Sequence, residues 1–226
     1  MRNEEMSIAT LILGQSGTGK STSLRNLDPE NVLLIQVVKK PLPFRSAEWK
    51  YLSKDGGSIY VSDNPEIIIK RMQQTSKPII IIDDYQYVMA NEYMRRSTET
   101  GFNKFTEIGR KTWDVFTEAS NLPDNKRVYI LSHTEEGESG KTKIKTIGKM
   151  LDEKITLEGM VTICLQTGII NELYIFHTKN NGQNTVKSPI GLFESEHIEN
   201  DLEAVDTAIC DYYGIAKTET QQTTEA

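Results

Sequence analysis

The sequence predicts an α/β domain built on a mainly parallel sheet with helices on its faces and a β-hairpin near the C-terminus. Three observations carry that expectation: apolar runs too short for helices, capped or amphipathic stretches alternating with them, and a glycine-rich turn between the first run and the first helical stretch. The first run is Ile8-Ala9-Thr10-Leu11-Ile12-Leu13. Residues 31–38 make a second, Pro78-Ile79-Ile80-Ile81-Ile82 a third, and residues 127–132 a fourth. Their consecutive apolar positions suit strands buried on both faces.

The connections follow in order. Residues 20–27 make a short helix that stops at Asp28-Pro29, because proline disfavours α conformation in the residue before it. Residues 39–57, with Lys39, Lys40, Pro41, Pro43 and Trp49, show no period and form an excursion from the sheet. Residues 58–61 read as a short strand, and Asp63-Asn64-Pro65-Glu66 offers a cap and an early proline for a helix to about Gln74. Phe102, Phe105, Ile108, Phe116 and Ala119 recur on one helix face beside Trp113, a spacing that favours core packing over an aromatic nucleic-acid platform. Gly137, Gly140 and Gly148 predict a mobile loop or hairpin. Residues 160–166 and 172–178 read as paired strands, Asn180-Asn181-Gly182 as a turn, and 201–213 as a terminal helix. The polar stretch 217–226 is expected to be a disordered tail behind a single domain of residues 1–216.

The segment Gly14-Gln15-Ser16-Gly17-Thr18-Gly19-Lys20-Ser21 matches G-x-x-x-x-G-K-[ST], after a strand and before a helix. This is the pattern of a phosphate-binding P-loop. Gly14, Gly17 and Gly19 are expected to take positive φ and approach an anion, so that successive backbone N–H groups through Thr22 wrap phosphates. Lys20 is the cation for the β- and γ-phosphates, and Ser21 a ligand for Mg²⁺. The isoleucine run ends in Asp83-Asp84 at the carboxyl end of its strand, where open α/β sheets bind ligands. Asp83 is therefore expected to complete the Mg²⁺ shell.

At 226 residues, 37% of them hydrophobic, the chain can bury one sizeable core. No apolar run approaches membrane-spanning length, and the charged start Met1-Arg2-Asn3-Glu4-Glu5 lacks a signal-peptide core, so a cytoplasmic protein without membrane partners is expected. Cys164 and Cys210 lie far apart and His133, His177 and His197 are scattered, which suggests neither disulfides nor zinc. A net charge of −6 argues against a globally basic nucleic-acid coat. A local one remains: Lys141, Lys143, Lys145 and Lys149 occupy an acid-free stretch flanked by Glu135, Glu136, Glu138, Asp152 and Glu153.

Together GQSGTGKS, IIIIDDYQYVMANEYM, LSHTEE, KIKTIGKMLDEKITLEG and TKNNGQNTVKSPIGLF resemble phage-encoded P-loop ATPases of the RecA-like group, including single-strand-annealing recombinases. The similarity runs from about Ile8 to Phe193. It implies a RecA-like P-loop NTPase core, ATP and Mg²⁺ as ligands, homo-oligomeric assembly with nucleotide near a subunit boundary, and work on phage DNA in the host cytoplasm. It also implies a DNA-binding loop after the fourth strand, which would be the segment carrying the four lysines, with single-stranded DNA as partner.

Two departures from that group stand out. Its members usually place a glutamate just beyond the second core strand to orient the attacking water, whereas this chain reads Leu34-Ile35-Gln36-Val37-Val38-Lys39. Either Asp84 takes that role or it caps the following segment, with Glu135 a weaker candidate, or turnover is slow and ATP acts as a switch. The chain also has no arginine after Arg127, so an arginine finger cannot come from that region. Lys187, or Lys179, from a neighbouring subunit could replace it, and Ser132-His133 at a strand end would suit a γ-phosphate sensor. An ATP-gated scaffold with little hydrolysis and a P-loop small-molecule kinase are the competing functions. The arginine-free C-terminal region counts against the kinase, since such enzymes need an arginine-bearing lid.

Overall fold

The computed structural model of the chain describes residues 6–137 and 140–216. The expected tail at 217–226 lies outside the described residues. Strands β1 (Ile8–Gly14), β2 (Val32–Gln36), β3 (Ile59–Val61), β4 (Ile79–Asp83), β5 (Arg127–Glu136), β6 (Thr142–Ile144), β7 (Ile163–Ile170), β8 (Leu173–His177) and β9 (His197–Glu199) form one hydrogen-bonded array. Their order is β3-β2-β4-β5-β1-β7-β8-β9, with β6 attached to β5. All pairings from β3 to β7 are parallel, while β8, β9 and β6 join antiparallel. The class is therefore α/β with a mostly parallel mixed sheet.

The unbroken apolar runs have the expected cause. Every residue of β2 and β4 is buried. Alternate side chains feed two cores: Leu11, Leu33, Ile80, Ile82 and Ile130 meet the helices of one face, and Ile12, Leu34, Ile79, Ile81 and Leu131 those of the other. Helices α1 (Pro65–Gln74), α2 (Gln86–Arg95) and α3 (Asn103–Asn121) supply Ile68, Met72, Val88, Met89, Ile108 and Phe116 to the first layer. Helix α4 (Leu202–Tyr213) supplies Leu202, Val205 and Ile209 to the second, beside Leu24 and Trp49. No helix among the described residues is long and apolar enough to cross a membrane.

The cap read at residues 63–66 forms, and a second cap appears at the start of the terminal helix. The Asn64 side chain accepts from Ile67 N before Pro65 opens α1, and Asp201 accepts from Glu203 N at the start of α4. Residues 20–27 shorten to a 3₁₀ helix, Ser21–Asn26. Strands β7 and β8 meet across a two-residue turn in which Asn171 and Glu172 both have positive φ, as the right-handed strand twist favours. The aromatic stripe of α3 is shorter than expected. Phe102 lies before the first turn and is 84% exposed, because the helical phase that buries Ile108 and Phe116 starts only at Asn103. Phe105 stacks on Tyr93 of α2 instead of entering the sheet core.

One buried polar cluster ties α4 to the sheet. The Arg127 guanidinium donates from Nε and Nη2 to the two Asp206 oxygens, each bond 2.9 Å, and Tyr129 donates to Asp206 Oδ1 at 2.6 Å. Both partners of the ion pair have side chains 4% exposed. Burial, the Asp206 charge and its bond push the Tyr129 hydroxyl well above its ordinary pKa.

Candidate functional site

Register brings the chemistry to one sheet end. Gly14 pairs with His133 where β1 ends and β5 leaves the parallel ladder, and Gln36 pairs with Asp83 where β2 and β4 end. The loop Gly14 to Ser21 leaves from the same end. Gly17 and Gly19 take φ of 80° and 98°, conformations that a side chain would strain. Gly14 corrects the sequence reading, since it lies in β1 and is not among the positive-φ glycines. Close packing explains it instead: a Cβ there would fall 1.9 Å from Thr167 Oγ1 on β7. That threonine shares a 2.6 Å bond with Thr18 Oγ1 and braces the loop against the sheet.

Lys20 is buried, and its Nζ donates to the carbonyls of Gly14 (2.8 Å) and Gln15 (2.9 Å). Desolvation lowers its pKa to about 8 despite the fields of Asp84 and Asp83. Ser21 Oγ lies 2.9 Å from both carboxylate oxygens of Asp83, joining the loop to β4 across 62 residues of sequence. Burial, then the Asp84 charge, pushes the Asp83 carboxyl up to about 6. One hydroxyl and one carboxylate are hard oxygen donors that fit Mg²⁺, which takes few protein ligands and completes its octahedron with phosphates and water. Among the described residues no cluster of three or more His, Cys, Asp or Glu stands ready to hold a metal by itself.

Asp84 follows with φ of 62°, unusual for a non-glycine residue. Its carboxylate forms an ion pair with Lys40 and stands 3.7 Å from His133 Nε2, rather than bonding the N–H groups that open α2. The capping alternative for Asp84 thus finds no support. Lys40 comes from the excursion after β2, one residue beyond the stretch 34–39 that lacks an acid. Burial opposes its charge, but the bond to Asp84 and the nearby carboxylates outweigh that and raise its pKa. His133 is held below its usual pKa by burial and by Lys20, so it is neutral at pH 7. Gln86 at the start of α2 accepts from His133 N at 3.1 Å and steadies β5 where it leaves the parallel ladder.

Ser16, Gly17, Lys20, Ser21, Thr22, Lys40, Asp84 and His133 line a single cavity of about 260 Å³, with Tyr174 from β8 at its edge. Tyr174 and Asn200 also pack on Gly19, at 3.1 and 3.0 Å from where its Cβ would be. Neither amide atom of the buried Asn200 has a partner among the described residues. Sequence reading missed Lys40, Gln86, Tyr174 and Asn200, of which only Lys40 left a visible trace, as a cation just before Pro41 in the excursion after β2.

Other expected residues stand elsewhere. Ser132 is buried with its hydroxyl toward Gln86. Glu135 sits beyond the cavity and pairs with Lys143 at 3.8 Å. Lys187 pairs through its backbone with Cys164, level with the middle of β1, and Lys179 donates to Glu194 O. Lys141 and Lys143 lie in the β5–β6 hairpin and Lys145 and Lys149 beyond it; Lys141, Lys145 and Lys149 are exposed, and Lys149 lies 3.9 Å from Glu153. Lys145 N donates to His133 O at 2.8 Å, so the hairpin root touches the cavity wall. A larger cavity of about 590 Å³ beside this hairpin, bounded by Glu135, Lys143 and Glu158, has no phosphate-binding loop. No protein-family model matches the chain, and no curated protein matches it.

Proposed function

We propose that this chain is a Mg²⁺-dependent ATPase with a RecA-like P-loop core, which assembles with further copies and acts on phage DNA in recombination, annealing or replication in the host cytoplasm. The observation that carries the reading is the convergence of Lys20, Ser21, Asp83, Asp84 and His133 at one sheet end. The N–H groups of the loop wrap the phosphates, and Lys20 exchanges its two loop carbonyls for phosphate oxygens. Ser21 and Asp83 would hold Mg²⁺, which neutralises charge on the transferring group. Asp84 orients water, and neutral His133 donates a hydrogen bond to the γ-phosphate. Lys187 supplies charge only from a neighbouring copy, since its own chain holds it outside the cavity. Phosphate release, measured with and without single-stranded DNA, tests the reading: stimulation by DNA supports it, and dependence on a small acceptor would point to a kinase.

One observation favours a second reading, an ATP-gated scaffold with little hydrolysis. Lys40 occupies Asp84, the acid needed to orient water.

Mg²⁺-dependent ATP binding is expected to be greatest near pH 7. The Asp83 carboxyl must lose its proton, which happens above about 6, and Lys20 must keep its own, which it does below about 8. Titration of ATP binding from pH 5 to pH 9 therefore gives a bell. A flat profile across that range would contradict the assigned roles.

The DNA role draws support from the hairpin rooted on His133. If Lys141, Lys143, Lys145 and Lys149 all meet phosphates of a single strand, log affinity falls against log salt with a slope of about −3 per protomer. Replacing the four with serine should remove DNA binding and spare ATP binding. Undiminished DNA affinity and slope would move the contact elsewhere.

A further inference from the structure

Lys40 is the cavity residue that the P-loop pattern does not account for. Its backbone is tethered: Gln36 Nε2 donates to Lys40 O at 3.0 Å, and Gln36 is the β2 partner of Asp83. Pro41 and Pro43 follow in the cavity wall and restrict the backbone there. The two ends of the Lys40–Asp84 pair differ in freedom. The lysine side chain is 41% exposed and can swing, whereas the aspartate side chain is 5% exposed and fixed by its left-handed backbone. An ion pair with one half-exposed member contributes little stability, and a terminal phosphate carries more charge than one carboxylate. Lys20, His133 and Lys40 all line the cavity in which such a phosphate would sit.

We propose that Lys40 is a γ-phosphate ligand supplied by the same chain, and that its ion pair with Asp84 is a latch opened by the third phosphate. Without a triphosphate, Lys40 holds Asp84 and the acid cannot take a water. A γ-phosphate draws Lys40 away, which neutralises phosphate charge and frees the carboxylate in one movement. Water then attacks: its oxygen bonds to the γ-phosphorus as the bond to the bridging oxygen breaks. The electron pair leaves on ADP, and the water proton passes to Asp84. A diphosphate lacks the group that competes for Lys40 and leaves the latch closed. This inference rests on the nucleotide reading above and assigns to the chain itself the cation that a neighbouring subunit was expected to supply.

The test measures binding of ADP and of β,γ-methylene-ATP, each with Mg²⁺, and phosphate release from ATP, on the full chain. Lys40→Ala is expected to weaken the triphosphate analogue about tenfold or more, the worth of a hydrogen bond to a charged group, and to leave ADP unchanged. Lys40→Arg keeps the preference for the triphosphate. Asp84→Asn separates a latch from a structural pair, because it frees Lys40: analogue affinity rises above wild type while phosphate release falls. The gain disappears in Lys40→Ala/Asp84→Asn, a coupling that the double-mutant cycle reads directly. Equal losses for ADP and the analogue in Lys40→Ala, no loss in either, or an Asp84→Asn gain that persists without Lys40 would overturn the latch alone. A wild-type chain that binds neither nucleotide would remove the P-loop reading with it.

Discussion

Replacing Lys20 with alanine is expected to cost nucleotide affinity of roughly a hundredfold while leaving the fold in place. The ammonium makes two charge-assisted bonds, to Gly14 O and Gln15 O, and bound phosphate oxygens would take both over. Bonds to charged groups contribute about 1.5–3 kcal/mol each, so losing two corresponds to about two orders of magnitude or more. Calorimetric titration with ATP reads the loss, and an unshifted unfolding midpoint shows that the sheet survives. Asp83→Asn is the companion variant and has an opposite signature in stability. Burial raises the folded pKa of Asp83 above the ordinary range of an aspartate, to about 6. The stability linked to that proton is full below the unfolded pKa and is lost as pH rises through about 6. At pH 7 the carboxylate therefore opposes folding, by roughly 2–3 kcal/mol for a shift of this size. The asparagine variant should be at least as stable as wild type at pH 7 and should lose Mg²⁺-dependent binding. A destabilised Asp83→Asn protein with intact Mg²⁺ dependence would contradict both assignments.

The second large effect is on stability and lies far from the loop. Asp206→Ala would leave the Arg127 guanidinium and the Tyr129 hydroxyl buried without their shared acceptor. Stripping one partner from a buried pair costs about 3–5 kcal/mol, because the remaining charge stays out of water. That is a large share of the stability of an ordinary domain. Urea unfolding should show a lower midpoint with an unchanged slope. Replacing both members of the pair, as Arg127→Met with Asp206→Leu, should recover most of the loss. A loss as large in the double variant as in Asp206→Ala would place the stabilisation in contacts other than the charge pair.

What sequence reading could reach was local chemistry. The glycine spacing of residues 14–21, the isoleucines of β4, the proline at Pro65 and the cap Asn64 act on neighbours a few residues away, and each signal was legible. Strand order is not local. Lys40 reaches Asp84, 44 residues on, because β2 lies beside β4 in the sheet. Thr167 braces Thr18 across 149 residues because β7 flanks β1 on the side away from β5. Asn200 arrives over Gly19 only through β8 and β9, at the antiparallel end of the same sheet. None of these residues belongs to a spaced pattern, and only Lys40, just before Pro41, left any trace in the chain. Phe102 failed for a different reason: apolar period identifies a helix face but not the residue at which the helix begins.

The stretch 34–39 at the end of β2 holds no acid, and the residue that follows it, Lys40, is a cation held on Asp84. A lysine paired to Asp84 makes the acid conditional on what else occupies the cavity.

Titrating the full chain with ATP at pH 7, once with Mg²⁺ and once with a chelator, tests the central claim most directly. The account predicts saturable binding of one nucleotide per chain that weakens strongly when Mg²⁺ is removed and by roughly a hundredfold in Lys20→Ala. Absence of binding to the wild-type chain, or binding indifferent to both Mg²⁺ and Lys20, would contradict it.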